Sequence, residues 1–576
     1  MPERMSRASV RARAGLLAIA SLGIAWGLVM HSMGWAQQSN YAQVRALAAG
    51  QAEIDRWHWE TKDKAWFDGH FYSVKAPGLA AFTLPAYLAL DAAGAKAIAR
   101  DAAANARETE HPRWTPPDHP DLSEYAFSTQ RAHRIEVRVE HEAPMIWALT
   151  LVGAVIPAIA LLFLVRWVAE RIEPGYGTAA AITLGLGTIV MTFAAEYFSH
   201  VAAATLGFAA FALLFREREG PARIGLVGAA GLLAGLAVTF EYPLGILGAI
   251  LLVYAAARPR RLHRATAYAA GAAIGAAPAL AFNLWALGSP LEFAYSHAVA
   301  VQGLTGHAEL GLNSSGFFGI ELPRPGAAVD LLIASRGLLT LTPVLAMGVV
   351  GAIMIRREGR PAEGAVIAAV FIAYFLYNAG YWLPFGGGSP GPRFLIPVLP
   401  FVAVGLAPAY RRLPSLTLAL AIPSVTFMVA GALSFPLIGD SGTGRWANEL
   451  GSGALEHTLL TVLGVHNGWL AAAPVIAAVT AAVAFCALAT PPLEVSDLRP
   501  AVGAVMAWAV ISVVGPSVAG DAITPLGNGP AALTLVGVAM ATSLGTLLAL
   551  RYREGRAEGG RERLVAPTSA VGERIS

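Results

Sequence analysis

The chain predicts an all-α polytopic membrane protein, and three observations carry that prediction. Apolar residues make up 56% of its 576 residues and charged residues only 14%, against about 25% charged in a typical soluble domain. Hydrophobic runs of about 20 residues, long enough to cross a bilayer core of about 30 Å, recur from end to end. The connections between those runs alternate between arginine-rich and arginine-free, and an excess of basic residues marks the cytoplasmic side. The net charge of +3 is too small to point to nucleic acid. The single cysteine, Cys486, lies in an apolar run and rules out an intrachain disulfide.

The first span is expected over 14–35, preceded by Arg4, Arg7, Arg11 and Arg13. The N-terminus is therefore cytoplasmic, and the run reads as a retained anchor rather than a cleaved signal peptide. Further spans are expected near 144–168, 176–195, 201–215, 224–240, 243–257, 265–287, 337–355, 363–384, 394–410, 414–437, 469–489, 500–517 and 530–550. Their basic connections (216–223, 258–264, 356–360 and 410–412) and the tail 551–576 fall on the cytoplasmic side.

A shorter apolar run at 78–94 would shift every later basic loop outward if it crossed the bilayer. It is therefore read as a re-entrant or surface helix, which leaves 36–143 external as a whole; the alternative is a real span with 95–143 in the cytoplasm and one later span miscounted. The resulting organisation has five parts. These are a tail and first span (1–35), an external loop (36–143), a core of spans (144–437) with an external loop at 289–336, an external loop with the last spans (438–550), and a basic tail (551–576). The total is about 12–14 spans in a bundle whose large first loop carries surface helices.

The long polar connections all lie outside, and the cytoplasmic ones are about ten residues or fewer apart from the tails. The chain has no P-loop and no glycine-rich strand-to-helix fingerprint, so any chemistry belongs to the external face. The richest stretch there is Glu53 to Pro77, with five carboxylates, six aromatic residues and three lysines. Glu53, Asp55, Glu60, Asp63 and Asp68 are candidates to take a proton from a hydroxyl. Lys62, Lys64 and Lys75 could neutralise a phosphate, and Trp57, Trp59, Trp66, Phe71 and Tyr72 could stack on a sugar or rest at headgroup level. Set against this is an ordinary interfacial loop, in which mixed charges only solvate; for any one carboxylate that reading is the commoner. Glu196, Tyr197, His200, Glu241, Tyr242 and Arg336 cluster at external span ends, where a carboxylate requires a partner or water. His70, His200, His297 and His307 show no tight ligand spacing, so no metal set is legible. Asn313-Ser-Ser has the form of a glycosylation sequon and reads as chance.

The stretch TKDKAWFDGHFYSVKAPG (61–78) resembles the first external loop of bacterial GT-C membrane glycosyltransferases, the group that includes protein O-mannosyltransferases and lipid A aminoarabinose transferases. Similar segments follow in order: EYFSH with His200, GLAVTFEYP, NLWALGSP, SRGLLTLTPVL and GGGSPGPRFLIPVLPF. Together they cover roughly residues 35–410. The chain departs from the pattern at Asn40, where relatives carry an early acidic pair, and at Val74, where they often have an acidic residue.

The resemblance implies an external active site in the plasma (inner) membrane of a bacterium. It also implies a polyprenyl-phosphate sugar donor, an acceptor glycan, lipid or protein of the envelope, and inversion at the anomeric carbon. Asp63 or Asp68 would be the base, with Asp55 as a further candidate. Lys75 would face the donor phosphate, helped by Arg393 and Arg336 through bidentate guanidinium contacts. Trp66, His70, Tyr72, Glu196, His200, Glu241 and Tyr242 would line the cavity, and the phosphate leaves room for a divalent cation. Two other classes compete. A transporter or flippase of lipid-linked saccharides is disfavoured by the lack of charge at mid-membrane, and a non-catalytic scaffold would use the loop only to hold a partner.

Overall fold

A computed structural model describes residues 7–109, 129–298, 319–438, 442–519 and 530–565. His307, Asn313, parts of the 36–143, 289–336 and 438–550 regions and the end of the basic tail lie outside the described residues. Among those described, ten helices are long and apolar enough to cross a membrane. Two bent pairs, Gly78–Ala92 with Ala95–Arg107 (88°) and Pro325–Leu341 with Val344–Arg357 (89°), raise the count to twelve if each is one span. The protein is an all-α multi-pass membrane protein whose only sheet, among the described residues, consists of two short two-stranded ladders.

Three expected spans form short apolar helices of 10–17 residues. The run at 176–195 breaks at Gly187 into the helices Gly177–Leu186 and Val190–Phe193. Ile224–Phe240 and Leu244–Ala256 meet at a turn around Glu241. The 78–94 run forms the helix Gly78–Ala92, which turns sharply into an amphipathic helix, Ala95–Arg107.

Helix association in lipid relies on close backbone approach rather than on a hydrophobic difference. The helices Ile224–Phe240 and Arg261–Leu287 illustrate this. A Cβ on Gly231 would lie 2.0 Å from the Tyr268 carbonyl oxygen, and one on Gly271 would lie 2.1 Å from that of Gly228. The spacing of these glycines leaves a groove that only a bare backbone can fill.

The basic connections gather at one end of the bundle. Glu217 receives Arg264 at 2.7 Å and Arg258 at 3.2 Å. Glu219 receives Arg360 at 3.1 Å and Arg171 at 3.4 Å. Glu173 pairs with Arg412 at 2.7 Å and with Arg411, and Arg412 also reaches Glu358. The opposite end carries the polar segments that follow the first helix. There Val29–Met30 pairs antiparallel with His457–Thr458, tying the start of the chain to its C-terminal part. The buried helix Trp35–Ala48 comes next and supports the first polar loop.

Candidate functional site

The loop after Trp35–Ala48 folds around a hairpin. Strand Lys64–Phe67 pairs with His70–Ser73 through a two-residue turn, Asp68-Gly69. Both turn residues have positive φ (47° and 86°), the geometry that makes Asp-Gly a favoured hairpin turn. The conformation at Asp68 gives a structural reason for an Asp-Gly pair at this point. Asp68 is exposed at the tip. Asp55 lies on the outer side of the same hairpin. It accepts the Phe71 amide at 2.6 Å and contacts His70 Nδ1 at 2.7 Å, and that hydrogen bond raises the His70 imidazole above its ordinary pKa. Trp66 is 42% exposed, whereas Tyr72 is buried under the hairpin.

Asp63 sits at the inner base of the hairpin. Its backbone is held by Thr61 Oγ1, which accepts the Asp63 amide at 3.0 Å, and by Ser39 Oγ, which donates to the Asp63 carbonyl at 2.5 Å. Its carboxylate meets Lys75 Nζ at 2.7 Å, and both side chains are about one-seventh exposed. Lys64, the next residue, is fully buried. It donates to the His58 carbonyl at 2.9 Å and lies over the rings of Trp59 and Phe71. With no carboxylate against it, burial lowers its ammonium pKa to about 7.

Lys75 leads from the hairpin into a cavity of about 370 Å³. Arg393 lines the same cavity, as do His200, Glu241 and Tyr242. His200 Nδ1 lies 3.0 Å from Glu241 Oε1, and Ser199 donates to the same carboxylate oxygen. Aromatic walls close the space: Phe198, Phe293, Tyr295, Tyr377, Tyr381 and Phe394. The phenols of Tyr295 and Tyr381 lie 3.2 Å apart.

Arg393 is placed by the glycine-rich turn before it. Gly386, Gly387 and Gly391 have φ of 76°, 112° and 146°, which residues with a side chain rarely adopt. A Cβ on Gly386 would lie 2.9 Å from Arg393 Cγ and Nε, so the bare turn wraps the side chain. The guanidinium stacks loosely on Phe198 and Phe394 and has no ion pair among the described residues; its Nε is buried without a hydrogen-bond partner. Arg336 approaches the turn from elsewhere. Its Nη1 donates to the Gly387 carbonyl at 2.7 Å and to that of Ser389 at 3.3 Å, and it lines a separate small cleft with Pro390 and Gly391.

The structure thus brings Lys75, Arg393, His200, Glu241 and Tyr242 to one cavity, with Asp63 joined to it through Lys75. Asp55, Asp68, Trp66 and His70 stand on the outer hairpin, and Glu196 lies in another buried cluster, where Gln37 donates to it. Several lining residues carried no strong sequence signal. Tyr377 and Tyr381 are spaced i, i+4 at the end of an apolar helix, a pattern that also describes ordinary core. Asn40, noted as a departure from the acidic pattern, lines the cavity with a buried Oδ1 that has no partner. Among the described residues no three His, Cys, Asp or Glu side chains converge as a metal site.

Fold and site together define a multi-pass α-helical membrane protein with an amphipathic cavity at the end of the bundle away from its basic connections. Neither a known family nor a curated protein matches the chain in sequence. In structure it is similar to ArnT from Cupriavidus metallidurans bound to undecaprenyl phosphate. The identity is 14% and the TM-score 0.44, over 93% of this chain and 77% of that one. It is also similar to the oligosaccharyltransferase of Archaeoglobus fulgidus in the apo form, at 13% identity and a TM-score of 0.39, over 88% of this chain and 58% of that one. At these values the likeness assigns no residue and no role.

Proposed function

We propose that the protein is an integral membrane glycosyltransferase that takes a sugar from a polyprenyl-phosphate donor and passes it to an acceptor in the cell envelope. The observation that carries this reading is the pair of cations in one aromatic cavity. Lys75 shares a carboxylate, and Arg393 has none among the described residues. Holding a half-buried guanidinium without a counter-ion carries a cost that a bound anion would remove, and a phosphate bound bidentately is the anion that suits it. The surrounding rings offer apolar surface to the first isoprene unit and flat faces to the sugar.

In the reaction, the acceptor hydroxyl oxygen forms a bond to the anomeric carbon while the bond from that carbon to the phosphate oxygen breaks. The electron pair stays on the phosphate, where Lys75 and Arg393 stabilise the added charge. The acceptor proton passes to a carboxylate, and we assign that role to Asp63, whose carboxylate is held against Lys75 at the edge of the cavity. Attack opposite the leaving phosphate inverts the anomeric centre, as in inverting glycosidases. Glu241, held by Ser199 and His200, is placed to accept hydrogen bonds from sugar hydroxyls. Arg336 acts as a positioning residue for the turn that presents Arg393.

Hexosyl or pentosyl transfer, the bacterial inner membrane and an external active site belong to the same reading. The test is transfer of labelled sugar from a synthetic polyprenyl-phosphate donor by purified protein in nanodiscs. Activity lost in Lys75→Ala and Arg393→Ala, with unchanged melting behaviour, supports it. Vectorial movement of the lipid without a new glycosidic bond would show a flippase instead.

A further inference from the structure

A second pocket, of about 240 Å³, lies between the end of the Ala95–Arg107 helix, the turn after Gly442–Ser452 and the start of Gly468–Ala489. Its lining differs from that of the first cavity. No lysine or arginine lines it among the described residues, so it offers nothing to a phosphate. It presents instead hydroxyl, amide, imidazole and carboxylate groups from Ser452, Asn467, His457, His466 and Glu456, beside the indole of Trp469.

The pocket is built rather than incidental. A Cβ on Gly468 would lie 2.2 Å from the Gly453 carbonyl oxygen, so two bare backbones meet in its wall. Gly453 also carries the Trp469 ring against it: a Cβ there would lie 3.4 Å from Trp469 Cδ1. The indole nevertheless remains 44% exposed. Asn467 uses its Oδ1 to cap the following helix, accepting the Leu470 amide at 3.0 Å, which leaves its Nδ2 for a ligand. Glu456 is buried in the wall and fixed by the Ser32 amide at 2.6 Å and the Ser32 hydroxyl at 3.0 Å. His457 is held in the ladder to Met30.

An exposed indole face among mixed donors and acceptors, without cationic charge, suits a pyranose. The C–H face of the sugar lies on the ring while its hydroxyls pair around the edge. Among the described residues free phosphate meets no lysine or arginine here. The placement ties the two sites together. Ser32, which anchors Glu456, leads directly into the Trp35–Ala48 helix, and Asn40 on that helix lines the first cavity roughly one and a half turns in. We infer that this pocket binds a neutral saccharide unit of the acceptor, holding the glycan while another of its hydroxyls reaches the donor. The inference rests on the glycosyltransferase reading for the word acceptor, but not for the binding itself.

The test is titration of the full-length protein in nanodiscs with chitotetraose and mannotetraose, with inorganic pyrophosphate as the anionic control. At least one tetrasaccharide is expected to bind, pyrophosphate is expected not to compete with it, and Trp469→Ala is expected to weaken binding by at least about tenfold. Trp469→Phe should retain most of the affinity, and Arg393→Ala should leave it unchanged. If neither tetrasaccharide binds, or if folded Trp469→Ala binds as tightly as the parent, the site is overturned. Saccharide binding through Trp469 in a protein that transfers no sugar would leave this site standing and remove the proposed function. Transfer by Trp469→Ala with an unchanged acceptor KM would do the reverse.

Discussion

The two ends of the bundle use arginine in opposite ways. At the basic end Arg258, Arg264, Arg360, Arg411 and Arg412 each meet a carboxylate, and Glu217, which joins two of them, is fully buried at its side chain. At the cavity end Arg393 has aromatic neighbours, no ion pair among the described residues and an unpartnered Nε. A buried charge with its partner in place fixes loops to one another. A half-buried charge without an ion pair is a standing cost, retained where a ligand repays it. The comparison separates structural arginines from those to be tested for function.

The largest expected effect lies at the basic end. Glu217→Ala leaves Arg264 buried and uncompensated, and it should cost about 3–5 kcal/mol of stability, measured as a lowered melting temperature in detergent. Transfer per folded molecule should stay near that of the parent; a stable Glu217→Ala protein would break the comparison. At the cavity end Arg393→Ala should cost little or no stability and lower the transfer rate by about 10²–10³, as loss of one preorganised charge-stabilising donor does elsewhere. A melting temperature that falls as far as that of Glu217→Ala would make Arg393 structural after all.

Between the carboxylates, Asp63→Asn should reduce transfer by about 10²-fold or more, while Asp68→Asn, at the hairpin tip, should stay within about twofold. The reverse ranking would move the base to the outer hairpin. A pH-dependent effect concerns Lys64. Its folded pKa of about 7 lies below the ordinary value of 10.5, so between those limits the unfolded chain binds the extra proton. Stability should therefore rise with pH across about 7 to 10.5, by at most about 1.4 kcal/mol per unit. Denaturation at several pH values checks this, and Lys64→Met should flatten the slope. Smallest of all, Arg336→Lys keeps the charge but loses the two-carbonyl grip on the glycine turn. A drop in transfer of about tenfold, seen without change in donor affinity, would fit a positioning role.

Much of this was legible in the chain. Arginine-rich loops at 216–223, 258–264, 356–360 and 410–412 announced a common side because charge resists transfer through lipid, and they do meet at one end. The resemblance singled out Lys75 and Arg393, and both line the cavity. Other features were not readable. Asp63 and Asp68 look alike in sequence, yet Asp63 precedes the strand Lys64–Phe67 at the inner base and Asp68 lies in the exposed turn that follows it. Arg336 precedes a glycine and Arg393 follows a glycine-rich run, but one grips the turn and the other is wrapped by it.

The sequence by itself determined the membrane class, the helices and the polarity of their connections, because these follow from local hydropathy and from the cost of moving charge into lipid. The tertiary structure alone decided which charges find partners. Whether Arg264 meets Glu217, or Arg393 meets only aromatic rings, depends on residues far apart in the chain. Only the packed helices and the close approach of bare glycine backbones set those distances.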